Sequence, residues 1–295
     1  MHRRMRIALV ALALTSIASV ACSSSSDNTC ASSAAALSIC AKGAVTKGID
    51  VSTYQGVVDW QKAKGAGVEF SIARVSDGTG FPDNQFAANW PGMKKAGVLR
   101  GTYQFFHPGE DPIAQADLMF SMLKQAGGLA SDDLPPVMDI EVTDNLGPAA
   151  IQASMKKWLN YVEGKINRKP MIYTAAFMSG SVGAGFTAYP LWVANYGPKC
   201  PTMPSGWNEW MIWQYTDSVS YAGIGSNADG NDFNGTLQDL INFAKGPQPL
   251  PTDGGAPPVS DGGAHGDASA PIDASVQAPK PTFDSGVTPP ANSCP

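Results

Sequence analysis

Short apolar runs alternate with amphipathic stretches through the middle of the chain, from residue 45 to residue 246. Eight runs have the length and composition of β-strands: GIDVS, FSIARVS, LRGTYQFF, VMDIEV, MIYTAA, LWVANY, MIWQYT and NDFNG. Apolar residues recur at helical spacing after two of them, at Ile113, Ala116, Met119, Phe120 and Leu123, and at Ile151, Met155, Trp158, Leu159 and Val162. A third helical stretch, before LRGTYQFF, is expected to break at Pro91. Strand and helix in turn are typical of a parallel sheet, and eight strands predict a closed α/β barrel whose later helices are reduced.

The N-terminus has the pattern of an export signal. A basic MHRRMR precedes the apolar run IALVALALTSIASVA, which is too short for a stable membrane span. The run ends at Cys22 and SSSSD follows, which resembles a bacterial lipoprotein signal with cleavage before Cys22 and a lipid on its thiol. Ser19 stands where Leu is usual, so ordinary secretion stays open. We expect an exported protein, either secreted or anchored as a lipoprotein in an outer membrane or at the cell surface.

Composition divides the chain into four parts. Residues 1–21 are the expected signal peptide, and residues 22–44 form a lipidated, Ser/Ala-rich tether. Residues 45–246 hold nearly all the aromatic residues and make up the barrel. Residues 247–295 are rich in Pro, Gly and Asp, have little to bury and are expected to be disordered.

The cysteines fit an oxidising compartment. Without Cys22, four remain: Cys30, Cys40, Cys200 and Cys294. An even set predicts disulfides, but the sequence leaves three pairings open.

Charge and histidine content narrow the function classes. The net charge is −5 with 15% charged residues, so no basic stripe favours nucleic acid. Three scattered histidines and the lack of a CxxC motif make a metal site improbable, and we expect neither a metal nor an organic cofactor.

The stretch LPPVMDIEVTD places two carboxylates inside an apolar run. Residues two apart on a strand share a face, so Asp139 and Glu141 project together, while Met138, Ile140 and Val142 point to the helix layer. The carboxylate face is therefore the barrel interior, near the carboxyl ends of the strands where barrel active sites lie.

Two interpretations of this pair compete. It could lie on a solvated edge strand or form structural ion pairs. Alternatively, it could perform general acid/base chemistry, as glycoside hydrolysis requires: one acid protonates the leaving oxygen and a second carboxylate stabilises the oxocarbenium-like centre. Few basic residues lie near the strand ends, which favours the second interpretation, and crowding would hold one acid protonated near neutral pH.

The order KGIDVSTYQG, YQFFHP, MDIE, IYT, PLWVANY, IWQYT and NDFNG resembles the glycoside hydrolase family 25 lysozymes over residues 47–243. The resemblance implies an α/β fold, an incomplete TIM-like (β/α) barrel of eight strands with fewer helices in its second half. It also implies hydrolysis of the bond between N-acetylmuramic acid and N-acetylglucosamine in peptidoglycan.

The resemblance assigns roles by position. Glu141 resembles the general acid, and Asp139 resembles the partner that orients the substrate's N-acetyl group or steadies developing positive charge. Asp50 and Asp232 match two further acids at the same mouth. A retaining, an inverting and a substrate-assisted route all stay open.

Aromatic and amide side chains at strand ends are candidates for sugar binding, because sugar rings stack on aromatic faces. The candidates are Tyr103, Tyr173, Trp192, Tyr196 and Gln214. Phe106 and Trp213 are interpreted as core residues. The sequence departs from the family at Gln104, where many members have His, and His107 is interpreted as a loop residue without catalytic duty.

Three rival functions remain. One is a chitinase, which would carry further aspartates at two-residue spacing upstream of the acid pair. This chain has Pro135 and Val137 there, which argues against a chitinase. A glycosidase acting on another N-acetylated glycan is a second rival. A catalytically inactive wall-glycan-binding lipoprotein is a third, although all four expected acids are present. We expect a monomer whose partners are peptidoglycan strands and, through Cys22, a membrane; whether the wall is the cell's own or foreign stays open.

Overall fold

The computed structural model describes residues 37–246. The strands and helices are β1 (Thr46–Val51), α1 (Trp60–Gly65), β2 (Phe70–Asp77), β3 (Phe81–Pro82), α2 (Phe86–Ala96), β4 (Leu99–Phe105), α3 (Pro112–Gln125), β5 (Val137–Asp139), α4 (Pro148–Ile166), β6 (Met171–Ala175), α5 (Ser179–Val182), β7 (Leu191–Ala194), β8 (Ile212–Val219), β9 (Ala228–Phe233) and α6 (Leu237–Lys245). The expected signal peptide, Cys22, most of the tether and the tail lie outside the described residues. None of the helices between residues 37 and 246 is both long and apolar enough to cross a membrane.

Eight strands close into a barrel, as predicted. Their order is β1-β9-β8-β7-β6-β5-β4-β2, and pairing of β1 with β2 completes the ring, while β3 adds to β2 outside it. The expected parallel sheet has one exception within the barrel, β9, which pairs antiparallel with both β8 and β1. The chain between β8 and β9 is too short for the crossover that a parallel neighbour needs.

The helices are concentrated in the first half, as predicted. After β6 only a 3-10 turn (Ala176–Met178) and the four-residue α5 precede β7, and residues 195–211 join β7 to β8 without a helix. Met203, Trp207 and Trp210 from that connection are buried in the layer that helices occupy elsewhere. An irregular segment therefore replaces a helix on this side of the barrel.

The start of the described chain packs on the same connection. Cys40 and Cys200 form a disulfide, and Ser38 bridges Thr202. The Trp210 indole N–H donates to the carbonyl of Ile39 at 2.7 Å. The structure thus selects one cysteine pair, and the last residues of the proposed tether, from Leu37 onward, belong to the folded body. Cys30 and Cys294 lie outside the described residues.

The barrel is filled at one end and open at the other. Apolar side chains at the amino ends of the parallel strands form an inner cluster that includes Phe70, Val137 and Met171. Leu240 and Ala244 of α6 belong to the same cluster, so this helix closes the bottom of the barrel. The carboxyl ends of the parallel strands are left for the functional site.

Helix α2 continues through Pro91, so the expected break is wrong. A proline here removes one backbone hydrogen bond, a local cost. Phe86, Trp90 and Met93 bury one face of the helix, and Arg100 Nη1 donates to the Trp90 carbonyl at 2.9 Å. Burial of these large side chains outweighs the lost bond.

Candidate active site

A cavity of about 190 Å³ opens at the carboxyl ends of the parallel strands. Eight of the nine predicted catalytic and sugar-binding residues line it: Asp50, Tyr103, Asp139, Glu141, Tyr173, Trp192, Tyr196 and Gln214. Among residues 37–246 no group of three or more His, Cys, Asp or Glu side chains has a metal-binding arrangement. The side chains that line the cavity are mainly acidic and aromatic.

Asp139 and Glu141 both face this cavity, as the alternation predicted. Strand β5 ends at Asp139, whose carbonyl accepts from Phe106 N at 2.8 Å. Met138 and Ile140 are fully buried in the helix-facing core, which turns the two carboxyls the other way. Glu141 lies just beyond the strand, after Ile140 N donates to the Tyr173 carbonyl at 3.0 Å.

Burial changes the protonation of this pair. Burial raises the pKa of Glu141 to about 7; a hydrogen bond with Asp139 opposes this rise, and the charges of Asp229 and Asp77 add to it. Burial, followed by the charge of Glu141, raises the pKa of Asp139 well above its ordinary value. The pair therefore holds a proton near neutral pH, which is what a general acid needs.

Asp50 lies on β1 and is almost fully buried. Its Oδ2 accepts from Gln214 Nε2 at 2.8 Å and from Asn231 Nδ2 at 2.7 Å. Burial, followed by the charge of Asp229, raises the pKa of Asp50, and the two amide donors oppose the rise. These contacts fix the carboxyl in one orientation at the wall of the cavity.

Gln214 links the acid and aromatic parts of the site. Its Oε1 accepts from the hydroxyls of Tyr173 at 2.8 Å and Tyr196 at 2.7 Å, while its amide donates to Asp50. The Trp192 indole N–H donates to Asn231 Oδ1 at 2.8 Å, and its ring meets the Tyr173 ring edge-on at 4.6 Å. The candidate sugar-binding side chains thus form one connected wall.

The predicted placement of Asp232 at the mouth is wrong. Asp232 points out of the barrel and forms an ion pair with Lys47 at 2.6 Å between Nζ and Oδ1. Asp229 lines the cavity instead and is the register partner of Asp50. Alternation along β9 explains the swap, since Asn231, which contacts Asp50, shares its face with Asp229 and not with Asp232.

Sequence reasoning also missed Arg74, the single cation among the described residues that line the cavity. Its Nε pairs with Asp83 Oδ2 at 3.1 Å, and its guanidinium lies 5.3 Å from the centre of the Tyr54 ring. Ile72 belongs to the inner cluster, so a residue two further along β2 had to face the interior as well. Tyr54, Phe105 and Asp217 line the cavity too, without a comparable sequence signal.

Gln104 does not face the cavity. Its side chain is fully buried towards the helices, where Nε2 donates to the Gln115 carbonyl at 2.7 Å and Oε1 accepts from Trp158 Nε1 at 2.8 Å. A direct substrate contact at this position is therefore excluded. Phe106 is a core residue, as predicted, and Trp213 packs partly buried against the same core.

Comparisons with known proteins show which sequences this chain resembles. The family model described as Glycosyl hydrolases family 25 matches residues 49–224. Lysozyme M1 of Streptomyces globisporus is 34% identical over 67% of this chain and 71% of its own length. The N,O-diacetylmuramidase of Chalaropsis sp is 32% identical over 68% of this chain and 99% of its own.

Solved structures show the same relationship. The bacterial lysozyme from Streptomyces coelicolor superposes with a TM-score of 0.64 at 32% identity, covering 68% of this chain and 98% of that one. A family GH25 lysozyme from Aspergillus fumigatus gives a TM-score of 0.60 at 31% identity, covering 69% and 100%.

Proposed function

The chain belongs to glycosyl hydrolase family 25, a family of peptidoglycan-hydrolysing lysozymes and muramidases, and from that membership we propose that it cuts the bond between N-acetylmuramic acid and N-acetylglucosamine. The observation that carries the proposal is the buried carboxyl pair, Asp139 and Glu141, in a cavity with an aromatic wall. A glycosidase needs the carboxyl pair, and an aromatic wall suits the apolar faces of sugar rings.

Glu141 acts as the general acid. Its pKa of about 7 keeps a large fraction protonated near neutral pH, so that it can give a proton to the leaving glycosidic oxygen as the C–O bond breaks. The proton passes to the glycosidic oxygen, which leaves as a hydroxyl of the departing sugar. The water that attacks the anomeric carbon gives the other product its hydroxyl and returns its second proton to the carboxyl pair.

Asp139 orients the substrate. Its carboxyl group shares a hydrogen bond with Glu141, while its buried Oδ1 has no donor among residues 37–246. Leaving such an acceptor without a donor is costly, so a substrate N–H that reaches it is favoured. The N-acetyl group of the sugar supplies that N–H, which is the role that the family resemblance implies.

Asp50 and Asp229 stabilise positive charge as it develops on the sugar ring. Both line the cavity, and Asp50 is held by two amide donors. Preorganised charge of this kind is effective because it needs no rearrangement during the reaction. Tyr173, Trp192 and Tyr196 provide the apolar wall against which a sugar ring rests.

The proposed setting is outside the cytoplasm. The signal-like N-terminus and Cys22 support a lipoprotein, and the Cys40–Cys200 disulfide fits an oxidising compartment. Radiolabelled palmitate incorporated by the wild-type chain and lost in Cys22→Ser would support the anchor. A wild-type protein that is released into the medium without the label would instead support ordinary secretion.

The main test is mass spectrometry of the soluble products from purified peptidoglycan. Glu141→Gln is the inactive comparison, and Asp232→Asn is the matched control because Asp232 lies outside the cavity. We expect a reducing-end N-acetylmuramic acid from the wild type and Asp232→Asn alone. Intact glycan that stays bound would favour a wall-binding protein, and a reducing-end N-acetylglucosamine would move the cut to the other bond.

A further inference from the structure

A charged cluster lies beside the mouth of the barrel, outside the cavity lining. The His107 imidazole stands between two carboxylates: Nε2 is 2.9 Å from Asp77 Oδ1 and Nδ1 is 3.0 Å from Asp144 Oδ1. Asp77 ends β2, His107 follows β4 and Asp144 follows β5. One side chain therefore ties together the loops after three neighbouring strands.

The imidazole is itself held in place. The side chain of the fully buried Gln115, on α3, brackets the His107 backbone: its Oε1 accepts from His107 N at 3.0 Å and its Nε2 donates to the His107 carbonyl at 2.8 Å. Such bracketing fixes the His107 backbone at the position from which its ring reaches the two carboxylates.

Asp144 is anchored from both sides of its carboxyl group. Its Oδ2 accepts from Gly109 N at 2.9 Å, in addition to the His107 contact. Asp144 and Asn145 both have positive φ angles, 48° and 60°. Left-handed backbone costs a non-glycine residue energy and persists where surrounding contacts impose it, often near functional sites.

The segment that carries Glu141 depends on these contacts. Strand β5 ends two residues before Glu141, and the last bonds to β6 are those made by Ile140. Asp144 lies three residues after Glu141, so the segment is fixed by β6 on one side and by His107 on the other.

We infer that His107 is a positioning residue, whose bridge between Asp77 and Asp144 fixes the segment bearing Glu141 and offsets the charge of Asp77 near it. The inference rests on the proposed role of Glu141. His107 does not line the cavity, so it acts through the segment and not through substrate.

The charges around His107 support a cationic bridge. Asp77 and Asp144 face its two nitrogens, Arg74 lies 4.0 Å from Asp77, and Glu110 in the same loop turns away to Thr79. The hydrogen bond to Asp77 raises the pKa of His107 to about 9, opposed by burial and assisted by Asp144. The ring is thus protonated at neutral pH, and both its nitrogens donate.

Removing the cation has two separable consequences. In His107→Gln the segment loses its anchor, and kcat on peptidoglycan is expected to fall about tenfold or more with KM nearly unchanged. The charge of Asp77 also becomes less compensated, so the pKa of Glu141 rises and the alkaline limb of the rate profile moves to higher pH. His107→Lys keeps the positive charge but cannot donate to Asp77 and Asp144 from two sides of a ring. It is expected to return the alkaline limb towards its wild-type pH while kcat stays low.

Glu110→Gln is the matched control, because Glu110 lies in the same loop and binds Thr79 through N and Oγ1 at 2.7 and 2.8 Å without contacting Asp144. It is expected to keep the wild-type kcat and limb. The inference is overturned if His107→Gln keeps the wild-type kcat and the wild-type alkaline limb. It is also overturned if His107→Gln and Glu110→Gln lose the same activity and neither moves the alkaline limb.

A ¹³C NMR titration of the Glu141 carboxyl measures the change in its pKa directly, without turnover. We expect a higher midpoint in His107→Gln than in the wild type, and equal midpoints would overturn the inference. An inactive wild-type protein that still shows the shift would count against the proposed muramidase reaction alone.

Discussion

At the scale of single residues, the site combines acids whose burial opposes their ionisation. The alternation MDIE was sufficient to predict that Asp139 and Glu141 share an interior face, because Met138 and Ile140 are apolar. Asp232 was instead assigned by resemblance, and alternation alone does not correct that choice, because Asp229 and Asp232 fall on opposite faces of β9 and polar residues occupy both. A period of two assigns residues to two faces but does not say which face is interior.

Asp229 and Asp232 form a natural pair for testing that correction. Asp229→Asn is expected to lower kcat about tenfold or more and to move the alkaline limb to lower pH, since the charge of Asp229 raises the pKa of Glu141. Asp232→Asn should keep kcat and lose under about 1 kcal/mol of stability, because its partner Lys47 is half exposed. Rate profiles and denaturant unfolding measure these effects; the reverse pattern would restore Asp232 to the site.

Glu141 should make the folded protein less stable at neutral pH. The group ionises near its ordinary 4.5 in the unfolded chain but near 7 in the folded one. Between these values the folded state binds more protons, so stability falls as pH rises and the penalty, on the order of 3 kcal/mol, is complete above about pH 7.

Glu141→Gln removes that penalty. Its melting temperature should match the wild type near pH 4 and exceed it at pH 8. Glu209→Gln, at an exposed ion pair with Lys42, serves as control and is expected to change the melting temperature little at either pH. A gain of equal size at both pH values would show that ionisation of Glu141 is not its source.

At the scale of elements, apolar runs predicted all eight barrel strands, but chain direction was not readable from them. Strand β9 runs antiparallel because the chain after β8 turns back without a helix. Helix α2 passes through Pro91 because tertiary burial outweighs a local preference. In both cases the deciding contact is distant in sequence, which local pattern does not report.

Helix α6 offers a test of how independent the two ends of the barrel are. Leu240 is fully buried in the inner cluster at the closed end. Leu240→Ala should cost about 2–5 kcal/mol of unfolding free energy and leave KM and kcat unchanged below the transition. Gln238→Ala, on the exposed face of the same helix, is expected to cost little. Loss of kcat in a folded Leu240→Ala protein would show that the closed end shapes the mouth.

At the scale of the whole molecule, the start of the described chain is part of the hydrolase body. Residues near Cys40 cover the side of the barrel that lacks helices, through the disulfide to Cys200 and the Trp210–Ile39 hydrogen bond. Composition placed these residues in the tether, because Ser and Ala carry no apolar periodicity. Tyr196, four residues before Cys200, lines the cavity. The connection between β7 and β8 therefore contributes both to the outer layer of the barrel and to the site.

Removing this covalent tie should therefore affect stability more than chemistry. The disulfide spans 160 residues, and loss of a bridge over so long a loop is expected to cost about 2–5 kcal/mol in Cys40→Ser/Cys200→Ser. Muramidase activity at 25 °C should survive, because Gln214 still accepts the Tyr196 hydroxyl. A chain that begins at residue 45 should lose more, since the Ile39 contacts disappear as well. If the wild type, the double cysteine variant and the shortened chain all had the same melting temperature, residues 37–44 would belong to the tether and not to the folded body.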